Sequence, residues 1–363
     1  MKINDIPYRT IWPNKNNRSI TILDQTKFPH QLEELEITNL DEAAHAISSM
    51  QVRGAPLVGA TAAYGIALAL LDNTSDGHLE KAAQILAATR PTAINLQWAL
   101  DQMLNQLLPL KENERLYTSW QLAANICDED VETNSLIGDF GLKLIEEIAA
   151  KKTKGEAVNI LTHCNAGWLA TVDWGTATSP IYKAYDKGIP IHVYVDETRP
   201  RNQGAYLTTW ELKQHGVPHK LIVDNAGGHL MQHGEIDMVI VGSDRTTNQG
   251  DVCNKIGTYL KALAAKDNNI PFYVALPTPS IDFDTRDGLA EIPIEERSME
   301  EVTVISGKAA DGSIVDVNIA PDDTKVSNPG FDITPARLVT GLITEKGIFD
   351  ASVSGLKALK QKL

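Results

Sequence analysis

Cysteine is scarce in this chain: Cys127, Cys164 and Cys253 are the only three in 363 residues. They are too few and too scattered for a disulfide framework or a zinc knuckle, so reduced thiols and a cytoplasmic location are expected. Long apolar runs are missing as well. No stretch reaches the roughly 18 residues that span a bilayer, so no membrane partner is expected. The opening segment, MKINDIPYRTIWPNKNNRSI, lacks the apolar core of a secretory signal. Positive charge is in deficit too. Lys and Arg total 33 against 47 Asp and Glu, a net charge of −14, with no basic run or arginine-rich tail. That balance argues against nucleic acid or an anionic membrane as partner. Any phosphate site must therefore be built from a few local cations. No strand leads into G-x-G-x-x-G and no Walker sequence occurs, so neither a dinucleotide cofactor nor a P-loop nucleotide is expected.

What the chain does have is a change of rhythm near its middle. Residues 1–36 alternate short β-like runs with turns, and runs 8–12 and 19–23 flank a hairpin turn. Residues 40–150 read as mostly helical, with separate segments at 112–126 and 132–151. From Ala157 onward, apolar runs at 158–161, 191–195, 221–223, 238–241 and 272–276 alternate with helical stretches. This rhythm is that of a parallel sheet covered by helices. The expected architecture is α/β. A mainly helical N-terminal domain with a small β-sheet fills 1–135, and a Rossmann-like domain with a largely parallel sheet fills 136–363. Runs 301–305 and 314–319 read as edge strands, and 251–260 and 334–344 as helices.

Each apolar run ends near a polar cluster: His163-Cys164-Asn165, Asp196-Glu197-Thr198, Asp224-Asn225, Ser243-Asp244 and Pro277-Thr278. In a parallel sheet these clusters share one rim, the edge where ligands bind. The strongest signal is VGSDRTTNQGDVCNK at 241–255. Asp244 is the first ionisable group after a strand, and Asn254 and Lys255 read as the first turn of the next helix. An acid and an anion clamp that close together point to chemistry on a phosphorylated molecule. Cys164 precedes Ala-Gly-Trp-Leu-Ala, which reads as a helix start whose dipole would favour a thiolate. The alternative for Cys164 is a small buried hydrophobe. His163 points away from Cys164 if the strand continues, so no Cys–His pair is expected. His229 and His233 are spaced like metal ligands but have no third partner, and no metal site is expected. Arg199, Arg201 and Gln203 follow the second strand. They serve either sugar hydroxyls and phosphate, or a rim loop in which Glu197, Arg199 and Arg201 satisfy one another. Arg53-Gly54-Ala55-Pro56 precedes a helix, where Gly54 and Ala55 permit close approach to a ligand and Arg53 brings charge. Arg90 is a second arginine in a turn.

Taken together, RGAPLVGATAAYG, RPTAINL, LTHCNAGWLAT, ETRPRNQGAYLTTWEL, VGSDRTTNQGDVCNKIGTY, IPFYVALPTPSID, IPIEER and NPGFDITPARLVTGLITEKG resemble the successive blocks of the methylthioribose-1-phosphate isomerase family. That family is related to regulatory subunits of a translation-initiation guanine-nucleotide exchange factor. The blocks run in order over 53–347. The resemblance implies a homodimer without metal or nucleotide cofactor that acts on a small phosphorylated sugar. It would convert 5-methylthioribose 1-phosphate, an aldose phosphate, to the ketose 5-methylthioribulose 1-phosphate. It also implies Cys164 and Asp244 as catalytic residues, and Arg53, Gly54, Ala55, Arg90, Gln203, Asn254 and Lys255 as substrate contacts. Asp244 is expected as the acid, and Cys164 either as a base or as a thiol shaping a dry pocket. The sequence departs from the family at 246–249, at Ser243 and at Cys253. Those departures leave 5-deoxyribose 1-phosphate and ribose 1,5-bisphosphate as alternative substrates. A non-catalytic regulatory subunit on the same fold would not need Cys164, Asp244 and Arg53 together. Tyr8 and Trp12 are expected as an apolar lid over the sugar's 5-substituent.

Overall fold

Small residues decide the N-terminal half. In the computed structural model, which describes residues 1–4 and 6–363, the helix Ala55–Ala69 is buried from Leu57 to its end. Its sequence, APLVGATAAYGIALA, has no polar face, and it forms the centre of a bundle. A Cβ on Gly59 would come within 2.9 Å of the Asn95 carbonyl oxygen, so glycine there lets the helix Ile94–Leu107 approach closely. The helix Leu40–Ser48 opens on two side-chain caps. Asn39 accepts from the Glu42 amide at 2.9 Å, and Glu42 accepts from the Thr38 amide at 2.7 Å. A three-stranded antiparallel sheet, Ile11–Pro13, Ile20–Leu23 and Glu34–Ile37, adds Ile11, Ile20, Ile22 and Ile37 to the same core.

The two helical segments expected at 112–126 and 132–151 are one helix, Glu112–Ala149. No proline or glycine pair interrupts the join, so nothing stops the hydrogen-bond ladder there. Its first half gives Trp120, Ala123 and Cys127 to the helical core, and its second half gives Ile137 and Ile145 to the core under the sheet. The helix passes from one core to the other around 135 without breaking. Gly138 and Gly141 face Ser179 and Pro180, where any side chain would overlap the helix Ser179–Asp186.

The second half is built on a seven-stranded sheet. Its order is His219–Ile222, Ile191–Asp196, Val158–Thr162, Met238–Val241, Phe272–Ala275, Gly341–Thr344 and Gly347–Phe349. All neighbours are parallel except the last pair. The chain builds outward from Val158–Thr162 in one direction, then returns to start again with Met238–Val241 on the other side. Those two central strands flank the topological switch point, where the open crevice of such sheets lies. Each of the five apolar runs expected as strands is one.

Three local expectations fail. Residues 251–260 do not form a helix. Gly250, at φ +93°, turns the chain into the strand Val252–Lys255, and the helix starts only at Thr258 after Gly257 at φ +99°. That strand lies in a second, four-stranded sheet ordered Ile281–Asp282, Arg245–Thr247, Val252–Lys255 and Phe331–Thr334. Residues 334–344 likewise form no α-helix: β-branched residues on both sides of Pro335 lie in the strands Phe331–Thr334 and Gly341–Thr344, with only a three-residue turn, Ala336–Leu338, between them. Finally, Val304–Lys308 and Ile314–Asn318 are not edges of the main sheet but a separate hairpin. Among the described residues, no helix is long and apolar enough to cross a membrane.

Candidate active site

Asp244 and Cys164 follow the two strands that flank the switch point. Beyond Cys164 there is no helix, only a three-residue turn, Trp168–Ala170. Cys164 itself is in the left-handed region at φ +66°. Its amide donates to Thr198 Oγ1 at 2.8 Å, and its carbonyl accepts from Thr208 Oγ1 at 2.8 Å. These side-chain bonds hold the residue out of any helical ladder, so the expected dipole is missing. Burial pushes the Cys164 thiol up, and the nearby Arg53 and Lys255 offset only part of this.

Asp244 lies at the root of the hairpin made by Arg245–Thr247 and Val252–Lys255, with its amide bonded to the Cys253 carbonyl at 3.0 Å. Burial pushes its carboxyl above the usual range, opposed first by Arg90 and then by Lys255 and Arg53, while Glu295 pushes the same way as burial. Lys255 is 7% exposed. Its ammonium donates to the Gly330 carbonyl at 2.7 Å and stands over the Phe331 ring. Asn254 is buried beside it and donates to Thr258 Oγ1 at 3.0 Å. Lys255 and Asn254 thus reach the site from a strand, not from a helix turn.

The helical half supplies the remaining cations. Gly54, at φ +89°, caps the Ala55–Ala69 helix so close to the sheet half that a Cβ would overlap the backbone of Ala170. This close fit presents Arg53, whose guanidinium grips the side chain and the carbonyl of Asn165, the latter at 2.7 Å. Arg90 follows the helix Asp76–Thr89, and its buried Nε has no hydrogen-bond partner among the described residues. A small pocket of about 30 Å³ joins Ala55, Arg90, Asp244, Cys253 and Phe331. A larger cleft of about 540 Å³ is lined by Phe28, Met50, Arg53, Gln203, Tyr206 and Leu207, among others. The Gln203 side-chain oxygen is buried and unpaired among the described residues. Phe28, rather than Tyr8 and Trp12, forms the apolar wall of the cleft. Tyr8 and Trp12 pack edge to face, and the Tyr8 hydroxyl bonds to Glu34 at 2.9 Å.

Several residues that shape the site were not singled out in the sequence. Thr198 and Thr208 orient Cys164, and Asn165 holds Arg53. Arg297 clamps Glu301 with Nε at 2.9 Å and Nη2 at 2.7 Å, and holds Glu295 at 2.6 Å. Arg201 pairs with Glu301 at 2.9 Å, and Arg199 donates to the Pro200 and Val302 carbonyls, so the expected mutual pairing with Glu197 does not occur. The available signals were Thr198 in a strand-end cluster and the charged IPIEER block. His163, Asp196 and Asp224 bring ligand-type atoms within 4.8 Å of one another. Yet His163 Nε2 already meets the Ile256 carbonyl at 2.8 Å, and the Lys261 ammonium stands 3.3 Å from Asp196. One member of the set is thus already paired with the chain's own ammonium.

Glu211 lies beneath Asn165 and accepts from the Leu169 amide at 3.1 Å. Burial pushes its carboxyl up to about 7, against the pull of that amide, Asn165 and Tyr182. Between the unfolded value and about 7, the folded chain holds a proton that the unfolded chain releases. The associated stability is complete below the unfolded pKa and is lost as pH rises through the folded one. Glu211 should contribute on the order of 3 kcal/mol to that fall. Urea unfolding across this pH range should show the slope reduced in Glu211→Gln, and an unchanged slope would refute this account.

The sequence profile of the Initiation factor 2 subunit family matches residues 51–351. A methylthioribose-1-phosphate isomerase from Sinorhizobium medicae is 62% identical over 359 residues, covering 99% of each chain. The crystal structure of a 5-methylthioribose 1-phosphate isomerase from Pyrococcus horikoshii superposes with a TM-score of 0.84 at 38% identity, covering 98% of this chain and 97% of that one. A structure named as translation initiation factor eIF-2B, subunit delta, from A. fulgidus superposes at 0.79 with 41% identity, covering 97% and 100%.

Proposed function

Since this chain belongs to the Initiation factor 2 subunit family, and within it stands with the methylthioribose-1-phosphate isomerases, we propose that it converts 5-methylthioribose 1-phosphate to 5-methylthioribulose 1-phosphate. This is an aldose–ketose isomerisation, the step such an enzyme performs in methionine salvage. The observation that carries the proposal is the meeting of one protonatable carboxyl, one buried thiol and three cations at the switch point.

The reaction poses a specific problem. The phosphate blocks the anomeric oxygen, so the ring cannot open to a free aldehyde. Opening requires a proton on the ring oxygen while hydrogen moves from C2 to C1. Asp244 is the acid in this proposal. Burial already favours its protonated form, and a dianionic phosphate arriving nearby raises it further. Cys164, held as a neutral thiol by its burial, shapes a dry pocket, and hydrogen then moves as hydride. Arg53, Arg90 and Lys255 take the phosphate, while Gln203 and Asn254 offer polar groups to the sugar. Gly54 and Ala55 let the backbone come close. A homodimer in the cytoplasm, working without a cofactor, belongs to the same proposal.

The cleft supports an uncharged 5-substituent. Phe28, Met50 and Leu207 form an apolar wall, and Arg201, also in the cleft, is neutralised by Glu301. A second phosphate would find that arginine already engaged. Turnover of the purified protein on three sugars tests the reading. The methylthio sugar should exceed 5-deoxyribose 1-phosphate by about 10-fold in kcat/KM and ribose 1,5-bisphosphate by more. Inactivity on all three would favour a regulatory subunit.

A further inference from the structure

Two polar atoms near Asp244 are buried without a hydrogen-bond partner among the described residues, Nε of Arg90 and Oε2 of Glu295. One is a donor and the other an acceptor. They belong to side chains that face each other, for Arg90 Nη2 stands 3.9 Å from Glu295 Oε2, beyond hydrogen-bond reach. Glu295 is not a loose surface acid. Its other oxygen accepts from Arg297 Nη1 at 2.6 Å, and Arg297 is itself fixed by both oxygens of Glu301. The carboxylate is thus oriented from behind and leaves one free oxygen toward Arg90. Asp244 lies within electrostatic reach of both. A buried carboxylate oxygen without a donor is costly. A phosphate would satisfy Arg90 but not Glu295, which needs an O–H group. The sugar brings such a group beside its phosphate, the 2-hydroxyl.

Resting on the isomerase reading above, we propose that Glu295 accepts the proton of the sugar's 2-hydroxyl during the isomerisation. The step balances as follows. The C1–O4 bond breaks, and its electron pair stays on O4, which takes the proton of Asp244. Hydride passes from C2 to C1. The O–H pair at O2 becomes the second bond of the C2 carbonyl, and the proton goes to Glu295. Asp244 ends as a carboxylate and Glu295 as an acid, and solvent returns each to its starting form. Some group must take that proton, because the ketone cannot retain it. Arg297, on this account, is a positioning residue that acts through Glu295.

Glu295→Ala and Glu295→Gln, made in the full chain and assayed on 5-methylthioribose 1-phosphate, test this. In each, kcat should fall by about 10²–10⁴-fold with KM within a few-fold of wild type. Added formate should restore turnover to Glu295→Ala but not to Glu295→Gln, whose amide fills the space. A role limited to holding Arg297 in place predicts no such rescue. Near-normal kcat in Glu295→Gln, a loss confined to KM, or an Ala variant that formate leaves inactive would each overturn the proposal. The unaltered protein in the same assay separates two kinds of failure. If it turns the sugar over, a negative result strikes Glu295 alone, and if it does not, the isomerase reading falls as well.

Discussion

Asp244→Asn should lose about 10²–10⁴-fold in kcat while still binding product, as expected for removal of a general acid. The exchange is nearly isosteric, so the hydrogen bond from the Asp244 backbone amide to the Cys253 carbonyl should survive, and with it the hairpin that carries Asn254 and Lys255. What disappears is the transferable proton. The direction of the Asp244 shift also fixes a pH dependence. An acid must be protonated to work, so kcat of the unaltered protein should fall as pH rises through a pKa displaced upward by burial. The residual rate of Asp244→Asn should lack that limb. Steady-state kinetics across pH, with product affinity measured separately, check both points. Normal turnover in the variant would remove Asp244 from the mechanism.

The second large effect is expected at a residue without a side chain. Gly54 combines φ +89° with a backbone approach that leaves no room for a Cβ beside Ala170. Gly54→Ala should therefore cost about 1–3 kcal/mol in strain alone. The steric overlap should also push the start of the Ala55–Ala69 helix away from the sheet, and Arg53 moves with it. A displacement of an ångström in a phosphate clamp can lower kcat/KM by about 10²-fold. Gly77→Ala is the control, because a Cβ there meets nothing within 4 Å. Thermal melts and kcat/KM of the two variants should diverge, and similar behaviour would show that the close contact at Gly54 is dispensable.

Much of the fold is legible in the sequence, because hydrophobic periodicity reports burial directly. The five apolar runs of the sheet are of this kind, as is the helical N-terminal region. Two of the failures, at 251–260 and 334–344, share one cause, which is pairing at a distance. Whether Val252–Lys255 becomes strand or helix depends on Phe331–Thr334, some eighty residues later, which it pairs in register from Val252–Thr334 to Lys255–Phe331. No local window contains that partner. The candidate site shows the same division. Asp244 and Cys164 stand out because a titratable group ends an apolar run. Glu295 and Arg297 do not, because their role comes from Arg90, and only the fold brings that residue to them. The helix expected after Cys164 is absent for a related reason. The bonds that turn its backbone come from Thr198 and Thr208 on other segments.

The Glu112–Ala149 helix belongs to both cores, and this makes it a girder. Bending it would break consecutive backbone hydrogen bonds, so the two halves have no hinge along that line. The span between the arginines on one half and Asp244 on the other is set when the chain folds. A sugar phosphate then meets cations already spaced, and little of its binding energy goes into drawing them together.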